Sequence, residues 1–467
     1  MKAWHPAVPQ GARRRWRGAM AAVATALGLA ACGGGPVAWS WQDGPLTCST
    51  PDRKAWVASY MDDAYFWRTL IPSVDRLAYA TPEAYFPALL SPGGAVGGVT
   101  FPADRWSFAE STESYDLYFR DGETLGYGVS VAALEITDPQ TQPLRVRYVE
   151  PASPAATAGV RRGDTVLEIN GTPASQYVAA DDFSVFTPDA AGRVLSLRLR
   201  DAAGTERNVS LVSAVYALTP LPDSRIVTTL GGRRLGYLLV KDFLSQASTP
   251  LGTAFAQFKA QGIREVVIDL RYNTGGLVSV ARDAASYVAG PRGGDFARLL
   301  FNDRWAAQGA NQAWGFRDFA DALGSSRVYV LTGPRTCSAS ELVINGLEPF
   351  VEVVVVGDTT CGKPVGFLPA DDQCGTTYSA VNFESVNDRN EGRYWNGLAP
   401  NAGCSVADDL DRALGDTRER LLAAALTHAD TGSCAAAGAA REPPKARPVR
   451  PARVLNEGER IRGVLAR

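Results

Sequence analysis

Leu331-Thr332-Gly333-Pro334-Arg335-Thr336-Cys337-Ser338-Ala339-Ser340-Glu341-Leu342 reads as the end of a strand, a turn, and the start of a helix built from small residues. Ser338 stands at that helix N-terminus. Backbone amides and the positive end of the helix dipole favour developing negative charge there, so the serine is either an ordinary N-cap or a nucleophile. Twenty-five residues further on lies Gly362-Lys363-Pro364. The chain holds six lysines against 41 arginines, so positive charge is normally written as arginine. A lysine differs in being able to lose its proton: taken out of water, its pKa falls and it becomes a general base. Lys363 is therefore either a surface lysine in a loop or a base.

Working outward, short apolar runs alternate with helical stretches. Strands are expected at Leu235 to Val240, Glu265 to Leu270, Arg327 to Leu331 and Val351 to Val356, with a helix through Leu251 to Gln261. This alternation predicts an α/β layer structure. Between residues 111 and 215 the pattern changes to short strands and turns. Leu125-Gly126-Tyr127-Gly128-Val129 is followed by the Ala-rich run Ser153 to Gly159, a Gly163-Asp164 turn, and a strand ending at Asn170-Gly171. The order of these features resembles a PDZ domain. The resemblance implies that the amides of Tyr127, Gly128 and Val129 receive a peptide carboxylate and that the peptide adds as an extra strand. Ahead of it, residues 51–110 read as a small helical N-terminal domain, with Trp56, Tyr60, Tyr65, Phe66 and Trp67 at roughly helical spacing.

The first 31 residues are of another kind. Arg13-Arg14-Arg15-Trp16-Arg17 leads into an apolar run from Ala19 to Leu29 that is too short to span a bilayer, which is the pattern of a secretory signal. It ends in Leu29-Ala30-Ala31-Cys32-Gly33, which resembles the lipobox of bacterial lipoproteins. Cys32 is then the lipidated residue and residues 32–50 a tether. The expected location is the bacterial cell envelope, lipid-anchored with the periplasmic face of the outer membrane favoured, or secretion. Residues 434–467, rich in Ala, Pro and Arg, read as a disordered basic tail.

The whole chain has a formal net charge of -2, but residues 1–31 hold five basic residues and no acidic one. From Cys32 to Ala440 there remain 34 basic against 46 acidic residues. Nucleic acid is not an expected partner of such a body. Six cysteines besides Cys32 (Cys48, Cys337, Cys361, Cys374, Cys404 and Cys434) make disulfides expected in an exported chain. Fifteen pairings are open; proximity suggests Cys337 with Cys361 and Cys374 with Cys404. No CxxC spacing exists to suggest zinc, HExxH and GxSxG are absent, and beyond residue 31 the one histidine is His428, expected near a helix C-terminus. Gly357-Asp358-Thr359-Thr360-Cys361-Gly362-Lys363 has P-loop spacing, but Pro364 stands where Ser or Thr must bind Mg²⁺, so no nucleotide is expected.

Thr336 to Glu341, the later Gly362-Lys363, and Asp269-Leu270-Arg271-Tyr272-Asn273-Thr274-Gly275-Gly276 upstream agree in order and spacing with the S41 serine peptidases, the C-terminal processing proteases, which this chain resembles from about Pro51 to Ala425. The resemblance implies a ClpP/crotonase-like α/β peptidase core over residues 216–433, accompanied by the β-rich PDZ-like domain and the helical N-terminal domain. It implies Ser338 as nucleophile and Lys363 as its base. The amides of Ala339 and of Gly275 or Gly276 then form the oxyanion hole, with no metal or other cofactor, and the partners are polypeptides bearing exposed C-termini. Many members carry Gln four residues beyond the lysine, where this chain has Phe367. Glu341 is the candidate left to orient Lys363. Two other readings stay open: a catalytically inactive peptide- or lipophile-binding scaffold, and an assembly platform.

Overall fold

A computed structural model describes residues 44–133, 136, 142–434 and 464–465. Cys32, the signal segment and most of the tail lie outside the described residues.

The first helix, α1 (Thr50–Ala64), starts where Ser49 Oγ accepts the amide of Asp52 and Pro51 occupies the first turn. Its Trp56, Val57, Tyr60, Met61 and Ala64 are buried in the same hydrophobic cluster as the peptidase-like core. The N-terminal segment is therefore fused to that core: Asn382 Nδ2 donates to Ala64 O, and the strand Phe108–Ser111 pairs with Thr376–Ser379.

The PDZ-like region has its own core, which holds Val129, Val146, Val166 and Ile169 together with Leu195, Leu197 and Leu199 at alternate positions of one strand. Strands β1 (Glu123–Gly126) and β2 (Val129–Val131) flank the turn at Tyr127-Gly128. Gly128 has φ +77°, and a Cβ there would fall 1.9 Å from Ser153 Cβ, so only glycine lets the loop close on the Ala-rich helix.

The central sheet runs β3 (Asp223–Thr228), β4 (Arg234–Leu239), β5 (Val266–Asp269), then β7 (Arg327–Thr332) and β8 (Glu352–Gly357), parallel from β4 onward. Between these come helices α2 (Ser248–Ala260) and α3 (Val278–Ala289), strand β6 (Asp295–Phe301), and helix α4 (Ala339–Leu347). Alternate residues face opposite layers: Leu238, Ile268 and Val330 pack with α2, α3 and α4, while Tyr237, Val267 and Tyr329 pack with α5 (Arg420–Thr431). Both faces are covered, which is why these strands are near-continuous apolar runs. A second sheet orders Gln312–Gly315, β6, β10 (Val381–Val386) and β9 (Val365–Phe367). Beyond β9, the segment β11 (Val464–Leu465) pairs parallel with Gly366 and Phe367. Part of the stretch expected to be disordered thus forms strand.

Among the described residues three disulfides are present: Cys48–Cys374, Cys337–Cys361 and Cys404–Cys434. The expected Cys374–Cys404 bridge is not formed. Cys374 sits in the turn before Thr376–Ser379, which packs on the N-terminal segment, where Arg53 of α1 meets Asp372 at 2.6 Å and places Cys48 opposite. Cys404 instead faces α5, whose end carries Cys434. No helix among the described residues is long and apolar enough to cross a membrane.

Candidate active site

Strand β7 delivers the chain to a turn at the carboxyl edge of the parallel sheet, and α4 leaves from it. Thr336 Oγ1 donates to Leu270 O at 2.8 Å and Cys337 N to Asn273 O at 3.1 Å, so the turn is fastened to the neighbouring Asp269–Gly276 loop. Ser338 precedes the first residue of α4 with φ 60° and ψ -113°. A non-glycine residue in that region is strained and persists only where its surroundings over-determine it. Ser338 is fully buried among described residues.

Glu341, in the first turn of α4, has both carboxylate oxygens engaged. Oε1 accepts Thr360 Oγ1 at 2.5 Å and Gly362 N at 2.8 Å; Oε2 accepts Ser338 N and Lys363 N, each at 2.8 Å. One oxygen therefore holds the backbone of both members of the expected pair. Burial pushes the Glu341 carboxyl upward, opposed by these four bonds. The expectation that Glu341 orients the lysine amine is corrected: it grips the backbone on either side and makes no hydrogen bond to Nζ.

Lys363 is 1% exposed, and its Nζ has no hydrogen-bond partner among the described residues. The amine lies 4.1 Å above the centre of the Phe367 ring. Burial drives its pKa down to about 7, against the upward pull of the Asp104 and Glu341 charges. Phe367 thus forms an apolar wall where a polar partner was expected. Gly362, at φ +82°, must be glycine, since a Cβ would meet Trp395 O at 2.3 Å. After Lys363 the chain enters β9, not a helix, so the P-loop spacing builds no phosphate cradle.

Of the three expected oxyanion-hole residues, Gly275 is corrected: its amide donates to Asn273 Oδ1 at 2.9 Å. The amides of Gly276 and Ala339 have no acceptor among the described residues. Gly276, at φ +136°, would place a Cβ 2.3 Å from Phe243 O. His428 lies in the last turn of α5, on the other face of the sheet, beside Tyr329.

Sulfur and carboxylate atoms of Cys337, Glu341 and Cys361 cluster within 4.8 Å. They do not suit a metal, because the two sulfurs are bonded to each other and both oxygens already accept hydrogen bonds.

A cleft beside the PDZ-like turn is lined by Tyr127, Gly128, Val129, Lys241, Asp242 and Thr274. Thr274 directly precedes the Gly275-Gly276 pair, so the expected peptide loop and the Asp269–Gly276 loop border one cleft. Lys241 Nζ is 3.6 Å from Asp242 Oδ2 and 5.6 Å from the Tyr148 ring centre.

Several residues at the site escaped the sequence reading. Asp104 accepts from Tyr65 Oη and the Trp106 and Ser107 amides while its charge acts on Lys363. Arg105 donates to Trp395 O at 3.0 Å and, more distantly, to Cys361 O. Both come from the N-terminal segment, and no local pattern marks them.

The site thus holds a strained serine at a helix start and a buried amine with no hydrogen-bond partner among the described residues, their backbones joined through Glu341 Oε2. Family models match in three places: the peptidase family S41 over residues 234–392, its N-terminal domain over 52–108, and a PDZ domain over 145–182. Over residues 234–392 and 52–108 the chain is thus similar to peptidase family S41. A carboxyl-terminal-processing protease from Picosynechococcus is 25% identical over 270 residues, which cover 56% of this chain and 61% of the relative. One from Synechocystis is 26% identical, covering 56% and 59%. The chain thus spans about three fifths of the length of these relatives. Among solved structures, an S41 protease candidate from Bacteroides fragilis aligns with TM-score 0.62 at 25% identity, covering 81% of this chain and 97% of the other. The photosystem II D1 C-terminal processing protease shares the fold, with TM-score 0.50 at 18% identity over 78% and 94%.

Proposed function

We propose that this protein is a serine endopeptidase or C-terminal processing peptidase that hydrolyses polypeptides through Ser338 and Lys363. The observation that carries this reading is the Lys363 amine: fully buried, without a hydrogen-bond partner among the described residues, and lowered to about 7, it is neutral in a large fraction of molecules near neutral pH. A scaffold that only binds has no use for an unpaired buried amine. Neutral Lys363 accepts the Ser338 hydroxyl proton as Oγ attacks the scissile carbonyl. The amides of Gly276 and Ala339 receive the developing oxyanion, the lysine returns its proton to the leaving amine, and water then resolves the acyl-enzyme.

The substrate is an unfolded or extended chain whose C-terminus docks at Tyr127, Gly128 and Val129. The shared border at Thr274 supports delivery from that loop to the oxyanion glycines. Strand addition at β9 is supported by β11, an extended segment of this same chain already paired there three residues after the base. The three disulfides favour an oxidising compartment, in keeping with anchoring through Cys32 in a bacterial envelope and substrates among envelope or secreted proteins. Hydrolysis of dye-labelled unfolded casein by the chain, by Ser338→Ala and by Lys363→Ala tests the reading; equal turnover in all three sinks it.

A further inference from the structure

Among the described residues the Lys363 amine has no hydrogen bond of the kind that ordinarily fixes a base. A four-carbon side chain against a flat phenyl ring has no directional contact at its tip, and attraction to the ring acts on the charged form, not on the neutral one that accepts a proton. The amine is therefore placed by its backbone. Any shift of residues 360–363 relative to residues 336–338 passes directly into the distance between base and nucleophile.

Those two segments are joined by one covalent link. Cys337 is the residue before the nucleophile, and Cys361 lies two residues before the base. Around their bridge run Cys361 N to Thr336 O at 3.0 Å and the four bonds to Glu341. Cys361 Sγ itself lies 3.5 Å from Glu341 Oε2, the oxygen that holds both the Ser338 and Lys363 amides. The bridge thus grips the strained serine turn on one side and the base loop on the other.

We propose that the Cys337–Cys361 disulfide is a positioning element of the reaction, one that holds Lys363 in register with Ser338 in place of a side-chain partner for the amine, so that hydrolysis requires the oxidised bridge. This rests on the peptidase reading above. Cys361 is partly exposed and Cys337 fully buried, so a dithiol reductant enters at Cys361 Sγ. Its thiolate forms a mixed disulfide and Cys337 leaves as a thiolate that takes a proton. The second thiol of the reductant then displaces Cys361 as a thiol and becomes half of the reductant's own disulfide, two electrons having passed to the protein. Two free thiols cannot remain at the bonded separation of about 2 Å. The Cys361 S–H also becomes a further donor for an oxygen that already accepts two amides. Displacing a catalytic group by about 1 Å costs roughly 10²-fold in turnover.

The test uses the full oxidised chain and dye-labelled unfolded casein, well below the melting temperature. Dithiothreitol is expected to lower kcat by about 10²-fold with KM changed less than about 3-fold, and reoxidation to restore it. Cys337→Ala/Cys361→Ala should be slow from the start and indifferent to dithiothreitol. Cys48→Ala/Cys374→Ala should remain fast when oxidised and still respond. With lysine labelled at Cε there are only six carbon signals to assign. The midpoint of Lys363 should rise from about 7 towards the ordinary lysine range on reduction, as the loosened loop admits water. A double alanine variant with oxidised wild-type kcat, or a reduced chain with unchanged kcat and an unmoved Lys363 midpoint, overturns the proposal. If that variant does not fold, the reduced wild-type chain supplies the same two readouts. Oxidised chain without any Ser338-dependent hydrolysis would sink the peptidase reading instead, while the Lys363 midpoint still reports on the brace.

Discussion

Two cations lie buried near the carboxyl edge of the same sheet, and their surroundings are opposite. Arg271 meets Asp269, Glu419 and Asp408 at 2.8–2.9 Å, all of them buried or nearly so. Lys363, as deeply buried, meets no polar partner among the described residues. The carboxylates around Arg271 overcome its desolvation and hold its pKa well above the ordinary value, whereas desolvation of Lys363 wins and brings it to about 7. Burial with partners makes a permanent structural charge; burial without them makes a base. Arg271 also carries architecture. Asp408, which it shares with Arg162 of the PDZ-like region, ties that region to the Asp269–Gly276 loop.

The largest expected effect separates charge from chemistry at Lys363. Ser338→Ala, Lys363→Met and Lys363→Arg should each lower kcat/KM on the order of 10⁴-fold in casein hydrolysis. Thermal melts should divide the lysine variants: Lys363→Met melts at or above the wild-type temperature, because an apolar side chain suits the Phe367 wall, and Lys363→Arg melts well below it, because an obligate charge is left unpaired. Next in size, Arg271→Met leaves the buried Asp269 and Glu419 without their cation, while Asp408 keeps Arg162, and should cost about 3–5 kcal/mol in urea unfolding. Methionine at the two positions should thus have opposite effects on stability.

A smaller effect is read from pH. Only neutral Lys363 accepts the proton, so kcat/KM should rise about tenfold per pH unit below its midpoint near 7 and level off above it. The stability sign follows from the same shift. The folded-state pKa lies below that of the unfolded chain, so between about 7 and 10.4 the unfolded state binds more protons and this amine's contribution to stability increases with pH. That slope should vanish in Lys363→Met, measured by urea unfolding across the window. The smallest effect concerns β11. Ending the chain at residue 440 removes the segment paired with β9 and should raise kcat/KM for casein about 2–5-fold, by freeing an edge that an extended substrate can use.

Much of the site was legible because its signals are local. A serine between small residues at a helix start, a glycine pair after an apolar strand and a lysine in an arginine-rich chain each constrain the backbone or the chemistry within a few positions. The Cys337–Cys361 bridge was legible for the same reason. Other features were hidden by distance along the chain. Cys48 finds Cys374 across 326 residues, and the Asp104 charge reaches a lysine 259 positions later. Glu341 was visible as a first-turn carboxylate, but not which donors would converge on it, since three of its four partners come from the loop at 360–363.

By itself, then, the sequence determined the layered α/β core and the PDZ-like region and marked Ser338 and Lys363 as candidates, because periodicity, glycine conformations and side-chain chemistry are properties of short stretches. Tertiary structure alone decided that the Lys363 amine has a phenyl wall for a neighbour and that one carboxylate oxygen holds both backbones. It also decided that the Gly275 amide is taken by Asn273 Oδ1. Desolvation and hydrogen-bond geometry depend on what the whole chain packs around a group, and no local pattern specifies that.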